Sequence, residues 1–255
     1  MINTIFNENN IDTSKRMLDN YLSGIITSPP YNIGKNPNHR RKDQEDYNLY
    51  LDDVDNLTEE EYLKIRIKEF KEFDRILKND GVICYNMSYS KESPILPFKL
   101  LLNVEKYTNL ILADVLYWRK SHSIPFQTSP NKLSRLIEPI YIITHKSHLH
   151  TFKANKKVSK INERTGQKFY KSYYNIIDAK NNDGFKTKLK ATFSTELISK
   201  IINIYFPENS IIYDPFMGIG TTAKACILNN CKFIGSEIIT EFYNDSKKFI
   251  QFHKI

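Results

Sequence analysis

The 255-residue sequence predicts an α/β fold, a mostly parallel sheet covered by helices on both faces. Three observations point there. Short apolar runs of strand length alternate with stretches of helical spacing. A glycine turn, Gly218-Ile219-Gly220, follows one of those strands and opens a helix. One segment, 146–190, interrupts the alternation and holds eleven Lys and one Arg against three acids, in a chain whose net charge is +8.

The elements follow in order. Ile25-Ile26 is a strand that ends at Thr27-Ser28-Pro29-Pro30-Tyr31, because a residue before proline avoids the α region. Lys35 to Asp46 is a polar surface loop carrying Arg40, Arg41 and Lys42. Thr58 followed by Glu61 is a capping box. Tyr62, Ile65, Phe70, Phe73 and Leu77 then recur at helical spacing until Asn79-Asp80-Gly81 stops the helix. Val82 to Tyr85 is the next strand. Pro97 to Leu102 is a helix, and Leu110 to Trp118 and Ile140 to Thr144 are strands. Segment 146–190 has little periodicity and reads as an insertion; within it, Lys168 to Tyr174 interleaves basic and aromatic residues. Leu197, Ile198, Ile201, Ile202 and Tyr205 mark a helix face that Pro207 closes. Strand Ile211 to Tyr213, helix Ala223 to Leu228, strand Lys232 to Gly235 and a last helix complete the chain.

Composition narrows the class. Hydrophobic residues are 40% and charged residues 26%, a globular, soluble balance. No apolar run is long enough to span a bilayer. The first residues lack the basic-then-apolar order of a secretory signal, so the cytoplasm is the expected location. Cys84, Cys226 and Cys231 are odd in number and widely spaced, which suggests neither disulfides nor a zinc site. His145, His148 and His150 read as a solvated loop, and no metal is expected. The basic segment suits a polyanion such as nucleic acid, or else a solvated Lys-rich loop.

Two turns carry chemistry. In Asp214-Pro215-Phe216-Met217-Gly218-Ile219-Gly220-Thr221-Thr222, Gly218 and Gly220 let the backbone approach a ligand at the carboxyl end of a strand. Glu237, seventeen residues beyond Gly220, sits just past the next strand, where an acid can accept both hydroxyls of a ribose. No phosphate-binding loop accompanies them, so an adenosine without a phosphate train is favoured. The other turn is Ser28-Pro29-Pro30-Tyr31. Beside an S-adenosylmethionine site its chemistry makes sense. The exocyclic amine of a base is a poor nucleophile, because its lone pair is delocalised into the ring. The Ser28 hydroxyl and the Pro29 carbonyl, held by a stiff Pro29-Pro30 unit, can accept its protons, and Tyr31 offers a ring for stacking.

These two turns resemble motifs IV and I of the amino-methyltransferases of bacterial restriction–modification systems. Arg75 to Gly81, Tyr117-Trp118-Arg119-Lys120 with Glu138, and Lys190-Ala191-Thr192-Phe193-Ser194 are similar to further regions of that family. Phe193 stands in a stretch that contacts the cofactor in such proteins. Motif IV precedes motif I, which resembles the β class, a circular permutation of the same sheet. The resemblance implies a Rossmann-like, mostly parallel, seven-stranded methyltransferase sheet with an inserted recognition segment. Residues 1–145 would be the catalytic part, 146–190 the target-recognition insertion and 191–255 the cofactor-binding part.

The implied cofactor is S-adenosylmethionine, held by Asp214, Phe216, Gly218, Gly220, Thr221, Thr222, Glu237, Phe193 and Thr27. The implied catalytic residues are Ser28, Pro29, Pro30 and Tyr31. The implied partner is double-stranded DNA, contacted by Arg40, Arg41, Lys42, Lys168, Tyr170, Lys171 and Tyr173, and a cognate restriction endonuclease and a homodimer stay open. Where members carry an Asp near the first strand-turn, this chain has Asn7-Glu8-Asn9-Asn10, with Asn9 as a stand-in. Ser at the first position of motif IV points to cytosine-N4 as target, with adenine-N6 the alternative. The rival from another class is a nucleic-acid-binding module without catalysis.

Overall fold

Strands buried on both faces must be apolar at every position, not at alternate ones. The central strands obey this. Ile25 faces one core and Ile26 the other; Ile83 and Cys84, Ile212 and Tyr213, and Phe233 and Ile234 divide in the same way. The computed structural model describes residues 1–32, 57–89, 93–123, 133–189 and 192–251.

Among the described residues ten strands are formed: β1 (Thr4–Phe6), β2 (Leu22–Thr27), β3 (Leu77–Asn86), β4 (Leu110–Lys120), β5 (Ile137–His145), β6 (Val158–Ile161), β7 (Lys168–Tyr170), β8 (Ile176–Ala179), β9 (Ile211–Asp214) and β10 (Lys232–Ser236). Eight make one sheet in the order β1-β10-β9-β2-β3-β5-β4-β8. Neighbours are parallel except that β5 runs against both β3 and β4. The helices are α1 (Asn10–Lys15), α2 (Glu59–Ile76), α3 (Leu96–Tyr107), α4 (Thr195–Tyr205), α5 (Thr221–Leu228) and α6 (Thr240–Gln251). α2 and α3 cover one face with Tyr62, Phe70, Phe73, Leu100 and Val104. α4 and α5 cover the other with Leu197, Ile201, Ala223 and Cys226. Cys84, Cys226 and Cys231 are free and buried. Among the described residues no helix is long and apolar enough to cross a membrane.

The sheet has eight strands where seven were expected. The extra strand, β8, comes from the basic segment. It pairs with the outer edge of β4 and buries Ile177 and Ala179. With two alternate residues inward, it is too short to show a period in the sequence. The rest of that segment is a 3-10 helix (Lys146–Thr151) and a separate β6–β7 ribbon. A second difference lies at Asn79-Asp80-Gly81. These residues belong to β3 rather than to a turn, and the pairing of β2 with β3 shifts between Leu22 and Gly24, so the exposed polar residues bulge out. The capping box is formed: Thr58 and Glu61 bond each other's backbone N–H.

The connections place the site. From β9 the chain crosses through α5 to β10 on one side, and from β2 through α2 to β3 on the other. β2 and β9 are neighbours, so the topological switch point lies between their carboxyl ends, where open α/β sheets bind ligands.

Phe70 anchors α2 to this sheet. It is fully buried, edge-on to Phe73 at 5.4 Å and tilted against Tyr85 at 5.0 Å. Phe70→Ala is expected to cost about 3–5 kcal/mol in denaturant unfolding. Leu102→Ala, at a position 68% exposed, should stay within about 0.5 kcal/mol.

Candidate active site

Thr27 ends β2 and Asp214 ends β9, and their side chains meet. Thr27 Oγ1 donates to Asp214 Oδ1 at 2.7 Å, and Thr222 Oγ1, from the first turn of α5, donates to Oδ2 at 2.6 Å. The Phe216 N–H adds a third bond to Oδ1 at 3.0 Å. All of this is buried; Asp214 is 3% exposed. Burial raises the Asp214 carboxyl to about 6 against the pull of its three donors. One carboxylate thus joins the ends of β2 and β9 and the first turn of α5.

The glycine turn follows. Gly218 and Gly220 adopt φ of 55° and 88°, the left-handed region that L side chains avoid. Gly220 also starts α5. Glu237 reaches across from the end of β10. Its Oε2 accepts the Gly218 N–H at 2.8 Å and its Oε1 accepts the Ile239 N–H at 2.8 Å. Burial raises this carboxyl to about 7, while those backbone bonds pull it down. Each oxygen keeps acceptor capacity for a ribose hydroxyl. Asn9, the expected stand-in, is engaged elsewhere: its side chain caps α1 through the Ile11 N–H. It is Asn7 that touches the acid's turn, donating to the Glu237 carbonyl at 2.8 Å.

The Pro-Pro turn is held from two sides. Tyr62 Oη, on α2, donates to the Pro30 carbonyl at 2.8 Å. Tyr31 Oη donates to Asn86 Oδ1, and Asn86 Nδ2 donates to the Pro139 carbonyl at 2.9 Å. Tyr31 and Ser28 hydroxyls are 2.8 Å apart. A phenol has a single proton, and this one goes to Asn86, so the Ser28 hydroxyl donates to Tyr31. The lone pairs of Ser28 then remain for an incoming donor. Asn86 and Tyr62 escape a motif search. Asn86 carries one signal, an amide directly after the buried run Val82 to Tyr85.

Two clefts share this turn. One is lined by Ser28, Phe193, Phe216, Gly218 and Thr221, the other by Ser28, Tyr31, Asn86, Trp118 and Phe193. Phe193 and Trp118 meet edge-on at 6.1 Å. Ser28 and Phe193 therefore stand between a narrow cleft at the glycine turn and an aromatic cleft. The chemistry around the first suits S-adenosylmethionine: a left-handed glycine turn at Gly218 with Leu189 over it, the Glu237 carboxylate bonded to that turn's N–H, and no phosphate loop.

Of the expected DNA contacts, the described ones, Lys168, Tyr170, Lys171 and Tyr173, do not line these clefts. Tyr170 lines a cavity with Ser23, Val82 and Ser210, towards the amino ends of the strands. Lys168 and Tyr170 are on β7; Lys171 bonds back to Lys157, and Tyr173 packs on the core. Arg40, Arg41 and Lys42 lie outside the described residues. The charged groups that do line the aromatic cleft are Lys120, paired with Glu138, and Arg135, stacked on Tyr89 at 4.2 Å.

A family profile described as DNA methylase, N6_N4_Mtase, matches residues 22–248. Type II methyltransferase M.BglII of Bacillus subtilis is 24% identical over 260 residues, 94% of this chain and 67% of the relative. M.HpaI of Haemophilus parainfluenzae is 26% identical over 251 residues, 94% of this chain and 71% of the relative. Among solved structures, PvuII DNA methyltransferase (cytosine-N4-specific) superposes with a TM-score of 0.74 at 16% identity, over 99% of this chain and 87% of that one. M1.HpyAVI in complex with S-adenosylmethionine follows at a TM-score of 0.61 and 18% identity, over 97% and 98%. The structural likenesses speak for the fold, and the profile, spanning most of the chain, speaks for membership. With its motif IV and motif I turns joined at one site, the chain belongs to the N6_N4 DNA methylase family and uses S-adenosylmethionine as its cofactor.

Proposed function

We propose that this enzyme methylates the exocyclic N4 amine of cytosine in double-stranded DNA, on a base turned out of the duplex. The observation that carries this reading is the oriented hydroxyl chain from Ser28 through Tyr31 to Asn86. It makes Ser28 an acceptor at the meeting point of the two clefts. When bound, the cofactor supplies an electrophilic methyl group on a sulfonium. The protein's part is placement. Ser28 Oγ accepts one amine proton and turns the nitrogen lone pair towards the glycine cleft. The Pro30 carbonyl is engaged by Tyr62, so the second acceptor is the Pro29 carbonyl. Tyr31, Trp118 and Phe193 offer ring surface that offsets the unstacking of the base. Holding the reacting atoms in line is worth more here than any covalent step. The cytosine choice rests on Ser28, a neutral acceptor where adenine-N6 members mostly carry Asp.

In the same reading Asp214 and Thr27 brace the site, and Phe216, Gly218, Gly220, Thr221, Thr222 and Phe193 line the cofactor. Segment 146–190 contacts DNA for target recognition. Its approach to the aromatic cleft is through Asn181 and Asn182 after β8, with Lys120 and Arg135 beside them. Its β6–β7 ribbon, at the other end of the strands, would meet DNA only outside the cleft.

Incubation with mixed-sequence DNA and cofactor, followed by mass spectrometry of the nucleosides, is expected to give N4-methylcytosine. N6-methyladenine would overturn the choice of base, and no methylated nucleoside would overturn the DNA reaction. In the same assay Ser28→Ala should lose roughly 100-fold in turnover, the scale of one positioned hydrogen-bonding group. Its cofactor affinity should remain near that of the parent, and equal loss of both would contradict the role given to Ser28.

Cofactor binding should depend on pH through Glu237. The free carboxyl sits at about 7, and ribose hydroxyls donating to it favour the charged form. Binding then releases a proton, so affinity rises with pH up to about 7 and levels off above it. Calorimetry between pH 6 and pH 8 checks this with parent and Glu237→Gln. The parent should bind more tightly at pH 8, and the variant should show a flat profile.

A further inference from the structure

α2 carries a charge where a core helix does best without one. Arg66 is 2% exposed and its partner Glu69 is 4% exposed. Arg66 Nη2 lies 3.2 Å from Glu69 Oε1, which also accepts from Asn10 Nδ2 at 3.0 Å. Among the described residues Arg66 Nε and Nη1 and Glu69 Oε2 make no well-aligned hydrogen bond, and the buried Tyr85 hydroxyl faces the same guanidinium. A buried ion pair with unmet donors gains little over an apolar pair of similar volume. Core stability therefore does not account for it.

Its neighbours give a reason. Tyr62 is four residues back on the same helix face, with its ring 5.2 Å from the guanidinium carbon. On the other side the Phe216 ring is 5.0 Å away. Both fall within the range at which a cation is held by an aromatic face. Tyr62 is the residue that grips the Pro30 carbonyl, and Phe216 is the wall of the glycine cleft. One buried cation thus touches the ring that grips the Pro-Pro turn and a ring of the glycine turn itself.

We infer that Arg66 is a positioning residue that sets the Phe216 ring against the cofactor and ties it, through Tyr62, to the Pro-Pro turn. Glu69 holds the guanidinium in register, and Asn10 holds Glu69. The inference rests on the cofactor lying against Phe216, and not on which base is methylated.

The test is a double-mutant cycle read by calorimetric binding of S-adenosylmethionine to the full chain, with thermal unfolding alongside. R66M/E69Q removes both charges and keeps an acceptor for Asn10. Its melting temperature should stay within a few degrees of the parent, while cofactor affinity falls about tenfold, the order of a lost cation–ring contact. F216L should show a similar loss. The combined variant should lose no more than F216L alone, because Arg66 acts through that ring. Losses that multiply, or parent-like affinity in R66M/E69Q, overturn the inference. Parent-like affinity in F216L removes the placement of the cofactor, and the inference with it. If R66M/E69Q does not fold, R66K keeps the charge without the planar face. A several-fold loss of affinity in R66K at an unchanged melting temperature supports the role, and parent-like affinity overturns it.

Discussion

The Asp214 carboxylate is the constraint on which the site depends. It accepts from the end of β2, from the turn after β9 and from the first turn of α5. Parallel pairing of β2 with β9 brings the two strand ends near each other, and the carboxylate fixes what the pairing leaves free. A transfer reaction between two bound groups gains most from fixed geometry, and small displacements are costly to its rate. A buried carboxylate with three donors supplies that rigidity at a moderate cost in desolvation, visible as its raised pKa.

The same device recurs around it. Glu237 joins the β10 turn to the glycine turn, and Asn86 joins β3 to the Pro-Pro turn and to β5. Each link is a polar side chain at or just past a strand's carboxyl end with at least one partner at the end of a neighbouring strand or in its turn. The apolar faces below fix the strands, and these links fix the loops. Stability and placement are thus largely separate. Phe70 and its neighbours hold α2 to the sheet, while α2 also presents Tyr62 and Arg66 upward to the two turns. Raised carboxyls at Asp214 and Glu237 mean that protonation stabilises the cofactor-free fold. Their contribution to stability falls as pH rises from the ordinary carboxylate range through about 6 and about 7.

Much of this was legible in the residues. Central strands such as the one read at Ile211 to Tyr213 were plain, because burial on both faces leaves an unbroken apolar run. The start of α2 read plainly, because Thr58 and Glu61 are a local device. Features set by distant partners did not. β8 is defined by the edge of β4, and nothing local marks it. Asn79-Asp80-Gly81 has turn composition, but pairing with β2 drew it into a bulged strand. Asn86, Tyr62 and Arg66 serve the site through contacts with residues far away in sequence, and no motif lists such contacts. The basic ribbon was visible by composition, but not its place towards the amino ends of the strands.

The most direct measurement is single-turnover methyl transfer by Thr27→Val. The substitution preserves shape and removes only the hydroxyl that joins β2 to Asp214, and the Phe216 N–H still satisfies that oxygen. If the carboxylate lock sets the reacting geometry, the rate falls by roughly tenfold or more, as misplacement of reacting groups predicts, while cofactor affinity changes little and the melting temperature falls by no more than the few degrees one lost hydrogen bond costs. A parent-like rate in a folded, cofactor-binding variant would show that the two strand ends hold their spacing without it.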